Sequence, residues 1–286
     1  LYMKVDFKFV PSFKSENSLK LNKSIYFMHI PKSGGTTIDY IFVEISKVLN
    51  YFKFKKYKHN KKLLDTNKIK LNSKNKTPYF ISGHLNYNFT KNIDNIYKCT
   101  VVREPIQRVV SHYKFKVFKK NITPNEYSFE QFIQDEVRNR RDNLITRHFA
   151  NSLAQNKVIS DIEKKIALLN VDYFDNITTI LNWDAFVSNI LTFFNLPSIV
   201  YSRYQQYVYN FSYTPNEKDL NLIKTNYKYD FDIYSKILNK KYNLYKKNKD
   251  NYNKKICLVS PYIKSNNKLY TEKEIKNLFS SNKNAI

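Results

Sequence analysis

Two short segments of this chain gather the residue types that handle phosphate. The first, His29-Ile-Pro-Lys-Ser-Gly-Gly-Thr-Thr37, sets Lys32 and the hydroxyls of Ser33, Thr36 and Thr37 around the pair Gly34-Gly35. Glycine serves where a backbone needs φ > 0 or must approach a ligand closely. A glycine turn feeding a helix also presents amide groups and the positive end of the helix dipole to an anion. Lys32 adds a mobile point charge. The second segment, Val101-Val-Arg-Glu-Pro-Ile-Gln-Arg-Val-Val-Ser-His-Tyr113, puts Arg103 at the end of an apolar run, with Arg108 and Ser111 on the two turns that follow. Arginine there can grip a phosphate in bidentate fashion, where lysine offers a point charge, and Ser111 offers a second donor. The competing readings are a solvated loop lysine at 32 and a surface turn in which Arg103 pairs with Glu104. Gly83-His84 stands between the two segments. The whole chain has 3 glycines, all of them in or between these segments, where about 20 would be usual for such a length. The nucleoside-triphosphatase pattern G-x-x-x-x-G-K-S/T is absent because the lysine precedes the glycines, which argues against an ordinary ATP or GTP enzyme.

The elements that must hold these residues read as alternating strands and helices. Ser24 to Ile30 is a compact strand, and Thr36 to Leu49 follows as a helix, with Ile38, Ile41, Phe42, Ile45, Val48 and Leu49 at helical spacing. Tyr79 to Ser82 and Lys98 to Val102 are further short strands. Pro105 opens a helix to about Phe118, since proline suits the first helical position. Ser128 caps a helix to Asn139, and Asp161 to Leu169 continues helical. Val171 to Ile180 reads as extended, Trp183 to Phe194 as an amphipathic helix, and Asn226 to Lys247 as a last helix. Tyr51 to Thr77 is Lys- and Asn-rich and reads as a surface excursion. The pattern predicts an α/β fold with a mainly parallel central sheet flanked by helices. An N-terminal segment (1–23, with one possible strand), a main domain (24–247) and a polar, lysine-rich C-terminal appendage (248–286) complete the organisation.

Composition sets the outer bounds. With 42% hydrophobic and 16% aromatic residues the chain can bury a core. A net charge of +25 and a pI near 9.7 invite a nucleic-acid reading. The lysines are dispersed rather than striped, however, and the bias toward Lys, Asn, Ile, Tyr and Phe is that of an AT-rich coding sequence. Part of the charge is read as a field that draws in polyanionic substrates. Cys99 and Cys257 make no disulfide framework, and Cys99 reads as a core residue. No run of 18 or more apolar residues stands in the chain, so no membrane span is expected. No metal cluster is visible.

Taken together and in this order, the segments resemble the cofactor motifs of sulfotransferases that use 3′-phosphoadenosine 5′-phosphosulfate (PAPS). Lys32 to Thr37 is similar to the loop that holds the 5′-phosphosulfate. Arg103-x-Pro105-x-x-Arg108-x-x-Ser111-x-Tyr113 is similar to the motif that binds the 3′-phosphate. Gly83-His84-Leu-Asn-Tyr-Asn-Phe89 is similar to the element between them in the heparan sulfate 2-O-sulfotransferase-like group of carbohydrate sulfotransferases. Weaker likeness covers Asp142 to Arg147, Val171 to Phe174 and Asp230 to Tyr234. The resemblance implies a P-loop-like sulfotransferase fold and sulfuryl transfer from PAPS, without a metal, to a carbohydrate hydroxyl. It places the general base at His84 and makes Lys32 the group beside the departing phosphate oxygen. Lys32 to Thr37, Arg103 and Ser111 would hold the donor. That group often carries a second histidine before the glycine, where this chain has Ser82, and this leaves the acceptor open. A lipid, a small alcohol or a peptide tyrosine is the alternative acceptor, and a nucleotide- or nucleic-acid-binding module the alternative class. Bacterial relatives imply a cytoplasmic location; a lost N-terminal anchor would imply the Golgi lumen. Of the other histidines, His29 reads as structural and His112 as turned away from Ser111, while His59 belongs to the lysine-rich excursion and His148 has no assignable partner. Arg138, Arg140, Arg141 and Arg147 form an arginine cluster that either contacts an acidic ligand or is a solvated face shared with Asp135, Glu136 and Asp142.

Overall fold

The inner strands of a sheet covered by helices on both faces must be largely apolar on both. The computed structural model describes residues 7–13, 23–49, 53–57, 78–90, 95–150, 157–202, 209, 211–240, 255–259 and 268–281. Five parallel strands lie in the order β3 (Lys53–Tyr57), β4 (Tyr79–Gly83), β2 (Ser24–Met28), β5 (Ile96–Val102) and β6 (Asn176–Thr179). Central β2 is buried along its whole length, as expected of a parallel strand. Its Ile25 and Phe27 pack with Ile38, Ile41, Phe42 and Ile45 of α1 (Gly35–Leu49) and with Phe186 and Ile190 of α6 (Trp183–Phe193). Tyr26 and Met28 face the other way, into a core closed by α4 (Leu144–Phe149), α5 (Asp161–Val171) and α8 (Lys228–Asn239). Burying one such aliphatic or aromatic side chain stabilises the fold by roughly 1.5–3 kcal/mol. The result is a mainly parallel sheet flanked by helices, the α/β architecture that the sequence pattern predicts.

α2 (Pro105–Lys120) has proline in its first turn and Glu104 as N-cap, whose carboxylate accepts from the amides of Ile106 and Gln107. Ser128 and Gln131 cap α3 (Phe129–Arg138) reciprocally. These helices and α7 (Glu217–Asn226) form their own cluster around Val109, Tyr113, Phe132, Ile223 and Tyr227. No helix among the described residues is long and apolar enough to cross a membrane.

Several boundaries differ from the sequence expectation. The stretch read as a surface excursion supplies the edge strand β3, while 58–77 lies outside the described residues. Val171 ends α5 rather than beginning an extended stretch. The last expected helix begins at Lys228, stops at Asn239 and is preceded by the unanticipated α7, while the rest of its expected span, 241–247, lies outside the described residues. The polar appendage expected after 247 contributes buried structure. Here β8 (Ile256–Val259) pairs with β7 (Ser198–Ser202), and the second sheet runs β1 (Phe7–Val10), β7, β8, β9 (Leu269–Tyr270), ahead of α9 (Glu272–Ser281). Val10, Cys257 and Val259 sit in the same core as α1, so the terminal strands complete that core rather than hang from it.

Candidate functional site

Parallel strands bring their C-terminal ends to one edge, which is where open α/β sheets bind ligands. His29 follows β2, His84 follows β4 and Arg103 follows β5. All three line one cleft of about 370 Å³, together with Gly34, Gly35, Thr36 and Thr37 of the loop and Ser111 and His112 of α2. Lys32 lines it as well. Ser33 stands in the same turn but not on the cleft wall. Its hydroxyl is buried, with no hydrogen-bond partner among the described residues.

The loop closes through two left-handed residues, Lys32 at φ 68° and Gly34 at φ 83°. At Gly34 the conformation alone demands glycine, because an added Cβ would meet Ile180 and Trp183 no closer than 3.5 Å. At Gly35 the reason is space: a Cβ would lie 2.3 Å from His29 Cδ2. Gly83 ends β4 without a positive φ, and its carbonyl accepts the His29 N–H at 2.9 Å.

The cleft is electropositive. Burial, and secondarily the charge of Arg103, pulls the Lys32 ammonium from 10.5 down to about 8. Its Nζ lies 4.3 Å from the centre of the Phe115 ring. Arg103 is also pulled down by burial, with Glu104 and Tyr209 acting the other way. Glu104 is occupied at the helix cap, and Arg103 Nε donates instead to Gln107 at a long 3.5 Å. His112, expected to turn away from Ser111, lines the cleft beside it and faces Glu136 Oε2 at 3.4 Å. Burial first, then Arg108, Lys116, Lys32 and Arg141, holds its pKa well below the ordinary value, so it is a neutral imidazole at pH 7.

His84 Nδ1 lies 2.7 Å from the carbonyl oxygen of His29. A carbonyl can only accept, so Nδ1 carries the hydrogen and the neutral ring keeps its lone pair on Nε2. That is the tautomer a base requires. The His29 ring, read from sequence as structural, sits 4.6 Å from the His84 ring. Its Nδ1 faces Asp39 Oδ2 at 3.4 Å, while the Ser82 hydroxyl donates to Asp39 Oδ1. Sequence reasoning missed Asp39 altogether: an acid early in a helix is a common dipole partner and gives no signal of its own.

Other candidates fall away from the cleft. Arg108 is buried and faces Asp230 Oδ2 at 3.5 Å. Asp230 also accepts from the amides of Ile145 and Thr146, which joins two of the weakly similar stretches, Asp142 to Arg147 and Asp230 to Tyr234. The arginine cluster divides among separate acids: Arg138 with Asp135, Arg141 with Glu136, and buried Arg147 with Asp142. Among the described residues no three His, Cys, Asp or Glu side chains form a metal-binding group.

A model described as the sulfotransferase family matches residues 19–167, just over half of the chain and the whole span from Lys32 to Ser111. No curated protein matches the sequence.

Proposed function

We propose that this chain, which belongs to the sulfotransferase family, transfers the sulfuryl group of PAPS to a carbohydrate hydroxyl, with His84 as general base. The observation that carries this reading is the convergence of Lys32, His84, Arg103 and Ser111 on one cleft from three strand ends and one helix. The donor fits the wall it would meet. A left-handed loop entering a helix N-terminus suits the 5′-phosphosulfate. Lys32 and Arg103, whose charges oppose one another in the cleft, favour a polyanion. Arg103 and Ser111 would hold the 3′-phosphate, with Thr36 and Thr37, and Ser33 from the same turn, around the other end.

In this reading His84 Nε2 accepts the proton of the acceptor hydroxyl as its oxygen attacks sulfur. Lys32 stabilises the charge left on the phosphate oxygen as the S–O bond breaks. The neutral imidazole of His112 can approach a phosphate without adding charge. Two measurements test the reading. First, 3′,5′-adenosine bisphosphate, the product of the donor, should raise the melting temperature; at 100 times its Kd it contributes about 2.7 kcal/mol. No shift at millimolar concentration removes the donor assignment. Second, labelled PAPS offered with oligosaccharides, lipids and tyrosine peptides should mark the oligosaccharides; label on a lipid or peptide instead replaces the acceptor class.

A further inference from the structure

One linked set of side chains behind the cleft has no role in the proposed reaction. Asp39 sits at the second turn of α1 with its carboxylate buried, a placement that is unfavourable unless its partners repay the desolvation. One oxygen accepts from the Ser82 hydroxyl of β4, and the other faces His29 Nδ1 at 3.4 Å, an electrostatic contact rather than a hydrogen bond. The His29 ring fills the volume that any side chain at position 35 would take. The backbone of the same residue is tied at both ends, its N–H to Gly83 and its carbonyl to His84 Nδ1 at 2.7 Å. The contacts therefore run from β4 through α1 to the end of β2, and they finish on the imidazole that would take the proton.

We propose that Asp39 and Ser82 are positioning residues for His84 and act through His29. Ser82 holds the carboxylate, the carboxylate and the open volume over Gly35 hold the His29 ring, and the ring fixes the Cα whose carbonyl selects the Nδ1–H tautomer of His84. The hydrogen bond from His84 Nδ1 to that carbonyl fixes the tautomer, as such partners commonly do. This inference rests on the reading of His84 as the base.

The test uses the full chain labelled with 15N-histidine and saturated with 3′,5′-adenosine bisphosphate. Long-range 1H–15N spectra report the His84 tautomer, assigned by the signals that vanish in His84→Ala. The wild type should show the Nδ1–H form. Asp39→Asn and Ser82→Ala should convert His84 to a mixture of tautomers. They should also slow the conversion of PAPS in the presence of the oligosaccharide mixture by about ten- to a hundredfold, since small misplacements of a reacting group carry such losses. The bisphosphate affinity and the KM for PAPS should stay near wild type. An unchanged His84 tautomer in folded Asp39→Asn and Ser82→Ala overturns the proposal, as does a loss of turnover matched by equal loss of bisphosphate affinity, which would make Asp39 a support of the loop. Should Asp39→Asn not fold, Ser82→Ala, which removes one hydroxyl, decides alone. If His84→Ala keeps its turnover, the base assignment fails by itself, while the tautomer shift still decides the positioning.

Discussion

Arg103 and Arg108 lie on either side of the Glu104–Pro105 helix start, and their surroundings are opposite. Arg108 is buried against Asp230, which also takes two amides and a hydroxyl from the start of α4. Nearby, Arg147 donates to both the side chain and the carbonyl of Asp142. Arg103 faces the cleft with a long contact to Gln107, and its charge works against that of Lys32. Charge matched inside the protein ties helices together. Charge set against charge in a cleft weakens the empty protein and is relieved by an anionic ligand. The difference separates scaffold from site within one motif, in which the resemblance gives Arg103, and not Arg108, to the donor.

The sharpest break in this comparison should come from the proposed base. His84→Ala is expected to lose roughly 10²–10⁴ in turnover while binding 3′,5′-adenosine bisphosphate as the wild type does; calorimetry on the same preparation checks the second half. Next, Asp230→Ala should lower stability by about 3–5 kcal/mol, because it strands the buried Arg108, and should leave cleft affinity intact once folded. Denaturant melts with and without the bisphosphate read both quantities. Arg103→Lys should do the reverse, leaving the melt unchanged and weakening the bisphosphate about tenfold, or about 1.4 kcal/mol, through loss of the bidentate grip. Equal affinity would remove Arg103 from the 3′-phosphate site.

The cleft's own repulsion predicts a pH dependence. Lys32 titrates near 8 in the free protein, below its ordinary 10.5. The ligand favours the charged form, so affinity should hold below pH 8 and fall as the amine loses its proton above it. At pH 9 about one tenth remains charged, giving roughly a tenfold loss relative to pH 7. Lys32→Arg, charged throughout, should flatten the profile; a wild-type profile in that variant would place the titration elsewhere. The smallest effect is expected from Gly34→Ala. Ordinary contact with Ile180 and Trp183 but a left-handed φ should cost about 1 kcal/mol of stability, measured as a small fall in melting midpoint.

The parts of this picture legible in the sequence were those with local causes. The strand–loop–helix of β2 and α1 showed in an apolar run, a glycine pair and helical spacing, and α2 in its proline. Buried β7 and β8 are short apolar runs in polar surroundings whose partners lie far along the chain. Nothing local marks Ser198 as the neighbour of Ile256. α7 buries little besides Asp219 and Ile223, so periodicity missed it, although the Asn216–Asp219 capping box was there to be read. Asp39 acquires meaning only when β4 sets Ser82 beside it. His112 misled because adjacent helical residues diverge, yet the cleft is broad enough to take in both it and Ser111.

The second sheet has a consequence for how the molecule is made. Near the beginning of the chain, β1 pairs with β7, for which Phe7 must meet Ser202, and β7 pairs with β8 close to the other end. Contacts that distant in sequence form slowly. On the ribosome, the face of α1 that receives Cys257 and Val259 must stay uncovered until those residues emerge. A nascent chain that already carries its complete Lys32–Thr37 loop is therefore still an open sheet, dependent on β8 for closure.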